Sequence, residues 1–219
     1  MRQVFDSIAD AYDRWYDTRE GAAIFRAERD CLVSLHKGPF DSWLEVAVGT
    51  GRFACALGIP MGIDFSPKML EIAASRGISS IVGNAEQLPF GEACLDGILM
   101  ALTLCFVSDA PQALLECRRV LRPGGRLLLG MVPADSVWGR AYEEKAAKGH
   151  PVYAHAKFST AAETTELAQR AGFALCDTAG TLFWKPGQTA ESEPKITFSR
   201  GGDAGFLGLL FRKEGENRP

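Results

Sequence analysis

Leu44 to Leu57 read "LEVAVGTGRFACAL", and this stretch decides the fold. Its first half is a short apolar run carrying one acid, Glu45. The run breaks at Gly49-Thr50-Gly51, and the second half has a helical pattern. Strand, glycine turn and helix in that order suit a ligand held against backbone N–H groups at a helix start. A carboxylate in the strand costs free energy if buried without a partner. It makes sense if Glu45 accepts from the loop's own N–H groups or from a ligand's ammonium, whereas a pyrophosphate would be repelled. The segment Gly49 to Ala54 also matches G-x-G-x-x-A literally, which keeps a nicotinamide-dependent oxidoreductase in play. A tight connection with no ligand is the plainer alternative.

Outward from that stretch, short apolar runs alternate with helical patterns, the signature of a parallel α/β sheet. Residues 4–16 and 21–36 read as helices, the second stopped by Gly38-Pro39. "SWLEVAV", "MGID", "SSIVGN", "LDGILMALTL" and "RLLLGMV" read as five strands. Ser66-Pro67 is an N-cap followed by proline at the first helical position, so "SPKMLEIAASR" is a helix. "APQALLECRRVL" places Ala113, Leu114, Cys117, Val120 and Leu121 at helical spacing. Residues 136–148 and "STAAETTELAQRAGF" are further helices. "TLFW" and "FLGLLFRK" read as two last strands, joined by a long loop holding Pro186, Gly187, Pro194, Gly201 and Gly202. No repeat or linker marks a domain boundary. The expectation is one domain over 1–219, with 1–37 as a helical lid, 42–132 as a cofactor core and 133–219 as a substrate-side cover.

Hydrophobic residues make up 47% of the 219, enough for a full core. A net charge of −3 argues against nucleic acid as partner, which calls for many Lys and Arg. The cluster Arg118, Arg119, Arg122 and Arg126 reads as helix-end complement and solvated face. Six cysteines show no C-x-x-C and no metal spacing, so they read as reduced thiols of a cytoplasmic protein. The first residues lack the pattern of a signal peptide, and no apolar run reaches a membrane-spanning length.

Two further stretches point to a ligand. Asp64 ends the second strand in "GIDFS", where a carboxylate can accept from both hydroxyls of a ribose at the ligand-binding edge of an open sheet. "GNAEQLPF" follows the third strand; the Asn84 amide oxygen can accept from an exocyclic amine and the Ala85 N–H can donate to a ring nitrogen. With "LEVAVGTG", "GIDFSPKMLEIA", "GNAEQLPF" and "CRRVLRPGGRLLLG" in this order, the chain resembles the class I S-adenosylmethionine-dependent methyltransferases. The likeness is to the small-molecule type related to ubiquinone and menaquinone C-methyltransferases, and it covers about Val4 to Phe173.

The resemblance implies a Rossmann-like α/β fold: a mostly parallel seven-stranded sheet, helices on both faces and a C-terminal antiparallel strand. It implies S-adenosylmethionine as cofactor, S-adenosylhomocysteine as product and a small-molecule acceptor. Glu45 would brace the loop near the methionine part, and Ala47, Gly49 and Gly51 would let backbone approach the cofactor. Asp64 would hold the ribose, Phe65 and Met69 would flank the adenine, and Asn84 and Ala85 would read its edge. Ala101 and Leu102 would lie under the sulfonium, and Tyr12, Trp15 and Tyr16 would belong to the lid.

Two positions depart from the family pattern, Ala47 for glycine and Asn84 for aspartate. Alanine disfavours positive φ, so an ordinary turn is expected at residue 47. Cys105 and Phe106 stand where many relatives carry histidine, which leaves the site without an obvious imidazole base. His150, His155, Tyr142, Tyr153, Trp138 and Trp184 are candidates for the acceptor side or for structure. A non-catalytic cofactor-binding module is the alternative to an enzyme.

Overall fold

The computed structural model describes residues 2–188, 195–198 and 203–215. Two helices open the chain, α1 (Arg2–Trp15) and α2 (Arg19–Leu35), the second capped by the Thr18 hydroxyl, which accepts from the Gly21 N–H. Then come β1 (Trp43–Val46), α3 (Arg52–Leu57), β2 (Met61–Asp64), α4 (Pro67–Ser75), β3 (Ser79–Val82), β4 (Leu95–Ala101), α5 (Ala110–Val120) and β5 (Leu121–Met131). The chain continues through α6 (Val137–Ala147), α7 (Ala161–Arg170), β6 (Phe173–Thr181) and β7 (Phe206–Lys213). Several starts follow the side-chain logic of N-caps: Ser66 before Pro67, Asp109 before Ala110-Pro111, and a full capping box between Thr160 and Glu163.

The seven strands form one sheet in the order β3-β2-β1-β4-β5-β7-β6. All neighbours are parallel except at β7, which runs antiparallel to both β5 and β6. Strand order reverses between β1 and β4, so a crevice opens at their carboxyl ends. Apolar side chains cover both faces. Ile24, Ala27, Cys31, Leu32 and Leu35 of α2 pack on one with Leu70 and Ala73 of α4. Leu114, Cys117 and Val120 of α5 and Ala168 of α7 pack on the other.

The fifth and sixth strands differ most from the sequence reading, and the fourth ends at Ala101 rather than Leu104. The sixth strand is Phe173–Thr181, not "TLFW": Gly172 at φ 84° ends α7 and the chain enters the sheet at once, while Leu182 at φ 60° turns it out again. The fifth strand begins at Leu121, because Leu121 pairs with Leu95 ahead of a register shift. Pro194, Gly201 and Gly202 of the expected loop lie outside the described residues. The arginine cluster is largely engaged: Arg119 with Glu116 and the carbonyls of Leu88 and Phe90, Arg122 with Asp96. None of the six cysteines forms a disulfide. Among the described residues, no helix is long and apolar enough to cross a membrane.

Candidate active site

The carboxyl ends of β1, β2 and β4 border a cavity of about 980 Å³. Residues of α1, α2, α7 and the segment from α6 to Ser159 add to its wall. Of the residues singled out in the sequence, Tyr12, Trp15, Tyr16, Ala47, Gly49, Asp64, Phe65, Met69, Ala101 and Leu102 line it. Glu45, Gly51, Asn84 and Ala85 stand outside the lining.

The loop after β1 is built around Asp64. The Gly49 N–H donates to Asp64 Oδ2 at 2.9 Å, and the Ser66 N–H donates to Oδ1 at 2.8 Å. Burial raises the Asp64 pKa, opposed by these amides and that of Phe65. The two carboxylate oxygens offer about four lone-pair sites, so acceptor capacity remains for a ligand.

Ala47 is at φ 56°, so the expected ordinary turn is not what forms. The left-handed residue swings the chain so that the Val48 N–H reaches Ile63 O at 2.9 Å and Gly49 comes over Asp64. The loop's geometry is held at a cost of roughly 1–2 kcal/mol for a residue with a Cβ. Leu102, beyond β4, is at φ 56° as well, with its N–H donating to Gly130 O at 2.8 Å. Gly49 is at φ 53° and lines the cavity, with open space where a Cβ would project. Gly51 is needed for packing: a Cβ there would sit 3.1 Å from the Ala73 Cα of α4.

Glu45 is buried in β1, and its Oε2 has no hydrogen-bond partner. Desolvation pushes its pKa well up, against the help of the Ala54 amide. Asn84 is exposed, and its Oδ1 accepts from the Glu86 N–H at 3.1 Å. The Gly83 N–H donates to Asp64 O at 2.9 Å, so "GNA" runs beside the end of β2.

Helix α1 is tied to the cofactor side. Arg52, the first residue of α3, donates from Nε to Asp13 Oδ1 at 2.9 Å and from Nη1 to Asp17 Oδ1 at 2.8 Å. Arg76 bridges Asp13 Oδ2 (2.8 Å) and Thr50 O (2.9 Å). Burial raises the Asp13 pKa, but the two guanidinium groups prevail and bring it to about 2. Phe5 meets Phe65 and Phe106 edge-on, at centroid distances of 5.7 and 5.6 Å.

The opposite half of the cavity is aromatic. The Tyr12 and Tyr16 hydroxyls are 2.8 Å apart, and the Tyr142 and Tyr153 rings stack at 4.6 Å. Trp138 lines the cavity too, but Trp184 lies in the core, where its carbonyl accepts from the Trp138 indole. His150 lines the cavity with its ring on Tyr153; its Nδ1 already accepts from the Val152 and Tyr153 N–H groups. His155 is exposed and outside the lining. Burial pushes the Cys105 thiol up to about 12, so it stays protonated. The sequence reading passed over Phe5, Lys145 and Glu28, all of which line the cavity. For Glu28 a signal existed: it occupies an apolar-stripe position of α2, between Ala27 and Cys31.

A parallel sheet with a crevice at its strand-order reversal, a glycine turn and an acid ending β2 define a nucleoside-cofactor site. A methyltransferase domain family model matches residues 44–129. An uncharacterized protein of Methanocaldococcus jannaschii is 35% identical, over 96% of this chain and 98% of its own. A demethylmenaquinone methyltransferase of Mycobacterium bovis is 30% identical, over 77% of this chain and 75% of its own. The structure of a SAM-dependent methyltransferase of Thermotoga maritima, described as a possible histamine N-methyltransferase, superposes with a TM-score of 0.89 at 33% identity. That match covers 98% of this chain and all (100%) of the other.

The chain belongs to the class I S-adenosylmethionine-dependent methyltransferases of the type 11 family. It is a methyltransferase with S-adenosylmethionine as cofactor, which sets aside the nicotinamide reading of the glycine turn. The residues present fit that cofactor. Asp64 has acceptor capacity to spare, Gly49 leaves room above it, and the orphaned Glu45 oxygen suits a loop that serves an ammonium-bearing ligand.

Proposed function

We propose that this chain methylates a small-molecule acceptor by in-line displacement. S-adenosylmethionine supplies a sulfonium-bound methyl group, which leaves as an electrophile without help from a metal. The observation that carries the reading is that one cavity holds both the Asp64 loop and the aromatic wall. Its volume, about 980 Å³, is at the upper end of small-molecule sites and leaves space for two ligands side by side.

Asp64 accepts from the ribose hydroxyls, Phe65 and Met69 flank the adenine, and Asn84 and Ala85 read its edge beside β2. Ala47, Gly49 and Gly51 allow close backbone approach, with Glu45 bracing them near the methionine part. Ala101 and Leu102 support the reacting centre. Tyr12 and Trp15 close the site from α1, which excludes water and aligns the acceptor. The chain acts as one unit, with 1–37 as lid, 42–132 as cofactor core and 133–219 as acceptor-side cover. Its unpaired thiols and net charge of −3 support a cytoplasmic protein without a nucleic-acid partner. The relatives' names point to two acceptor chemistries, a quinone-type ring and an amine nitrogen.

The test is thermal unfolding with S-adenosylmethionine, S-adenosylhomocysteine or NAD. A ligand at about 100 times its dissociation constant stabilises by about 2.7 kcal/mol, a shift of roughly 5–10 °C at this size. Both adenosyl ligands are expected to give it and NAD to give none. Turnover is then read with a panel of small-molecule acceptors. A shift with NAD alone would overturn the proposal.

A further inference from the structure

The acceptor half of the cavity contains one carboxyl group whose burial nothing in the fold repays. Glu28 lies in the middle of α2, 3% exposed, and lines the cavity. Among the described residues, its side chain has no hydrogen bond and no ion pair. A buried carboxylate in that state costs several kcal/mol, and it stays protonated instead. Desolvation alone raises its pKa to about 8.

Among the described residues, the titratable groups that interact with the Glu28 carboxyl come from α1, α2, α6 and the turn at 153–155, and none is a cation. α1 presents Tyr12 and Tyr16, α2 itself Cys31, α6 Tyr142, and the turn at residues 153–155 Tyr153. Burial holds the first two phenols and Tyr142 well above the ordinary range, and Tyr153 and Cys31 at about 12, so all are neutral at pH 7. The Lys145 ammonium sits over the Tyr142 and Tyr153 rings, at 5.2 and 5.9 Å, and makes no ion pair among the described residues.

We propose that the Glu28 carboxyl, set among tyrosine hydroxyls and aromatic faces, binds the acceptor, that the acceptor is a small amine with an apolar body, and that Glu28 takes up the proton its nitrogen must lose. The proposal rests on the methyl-transfer reading and names the substrate class of that site. An entering ammonium supplies the missing half of an ion pair, and aromatic faces favour a cation near them. A neutral alcohol or ring carbon supplies no charge and leaves the Glu28 proton where it is. Amine binding at pH 7 therefore expels the Glu28 proton to solvent. Within the complex, one proton moves from nitrogen to a Glu28 oxygen, and the nitrogen lone pair becomes free. The new N–C bond forms as the C–S bond breaks. The methylated ammonium leaves, and Glu28 again holds one proton.

The experiment is calorimetric titration of the full chain with S-adenosylhomocysteine present. The probes are phenethylamine and tryptamine, each against its alcohol analogue, 2-phenylethanol and tryptophol, in buffers of differing ionisation enthalpy. The expected result is at least tenfold tighter binding of each amine and release of close to one proton per amine at pH 7. Glu28→Gln is expected to abolish both while retaining S-adenosylhomocysteine, and Glu28→Asp to keep the proton release. Equal binding of amines and alcohols by the wild type, or amine binding without proton release, would overturn the proposal while normal S-adenosylhomocysteine binding leaves the methyl-transfer reading standing. Failure of S-adenosylhomocysteine itself to bind removes both.

Discussion

Replacing Glu28 by glutamine changes how stability depends on pH, and the size of the change follows from its burial. The folded carboxyl has a pKa of about 8 against an ordinary value of 4.5. In that interval the folded state holds a proton that the unfolded state has lost, so stability falls as pH rises. At 1.36 kcal/mol per unit, Glu28 lowers stability by about 1 kcal/mol at pH 5, about 3 at pH 7 and close to 5 at pH 9. Glutamine has the same shape and no proton to lose. The variant is therefore expected to gain about 4 kcal/mol on the wild type between pH 5 and pH 9. That corresponds to roughly 10 °C in Tm for a chain of this length. Glu45 and Asp64 also have raised pKa values, but they titrate in both proteins and cancel in the difference. Urea unfolding of both proteins at five pH values measures it. Parallel stability profiles would refute the reasoning, because they would mean that the Glu28 carboxyl is solvated or paired in the folded state.

Asp64→Ala is expected to weaken S-adenosylhomocysteine binding by roughly 10- to 100-fold, the worth of one or two charge-assisted hydrogen bonds, in a titration of folded protein. Ala47→Gly relieves a left-handed alanine and is expected to stabilise by about 0.5–1 kcal/mol after the added backbone entropy of glycine, without loss of cofactor affinity; Ala47→Val is expected to destabilise, and chemical denaturation reads both. Arg52→Ala removes the bridges to Asp13 and Asp17 and is expected to speed hydrogen exchange across α1 before the sheet is affected. In the wild type the Asp13 clamp is intact above pH 4 and lost as pH falls toward 2, because pairing depresses the Asp13 pKa, so exchange in α1 should rise first in that window.

The Asp64 side of the cavity was legible because its geometry is local. "LEVAVGTG" and "GIDFSP" each encode a strand end and the turn beside it, and beyond the strand pairing the structure joins them through Val48 N–H to Ile63 O and Gly49 N–H to Asp64. The backbone at residue 47 was not legible. A left-handed alanine is set by the pull of Ile63 and Asp64 on the next two amides, contacts 15 or more residues away. The aromatic half of the cavity is assembled from α1, α2, α6 and the turn at 153–155, and no short motif spans those elements. Glu28 was visible in principle: Ile24, Ala27, Cys31, Leu32 and Leu35 mark the buried stripe of α2, and the glutamate falls on it. The sixth strand was expected too late, at "TLFW", because a register shift between Leu175 and Asp177 breaks the alternation of "FALCDTAGT" that would mark a strand.

The position of β7 between β5 and β6 has a consequence for how the molecule comes to exist. Phe206–Lys213 is the last of the described strands in chain order, yet it fills an interior slot of the sheet. Until it arrives, β5 presents a bare apolar edge, and β6 has no strand to pair with. Both are templates for pairing with another chain. A nascent polypeptide that has completed the cofactor-binding half still carries that open seam, and closing it requires contacts with segments made much earlier, which slows the last step of folding. Trimming the chain ahead of Phe206 should thus yield aggregates rather than a smaller domain, however complete the glycine loop and its carboxylate remain.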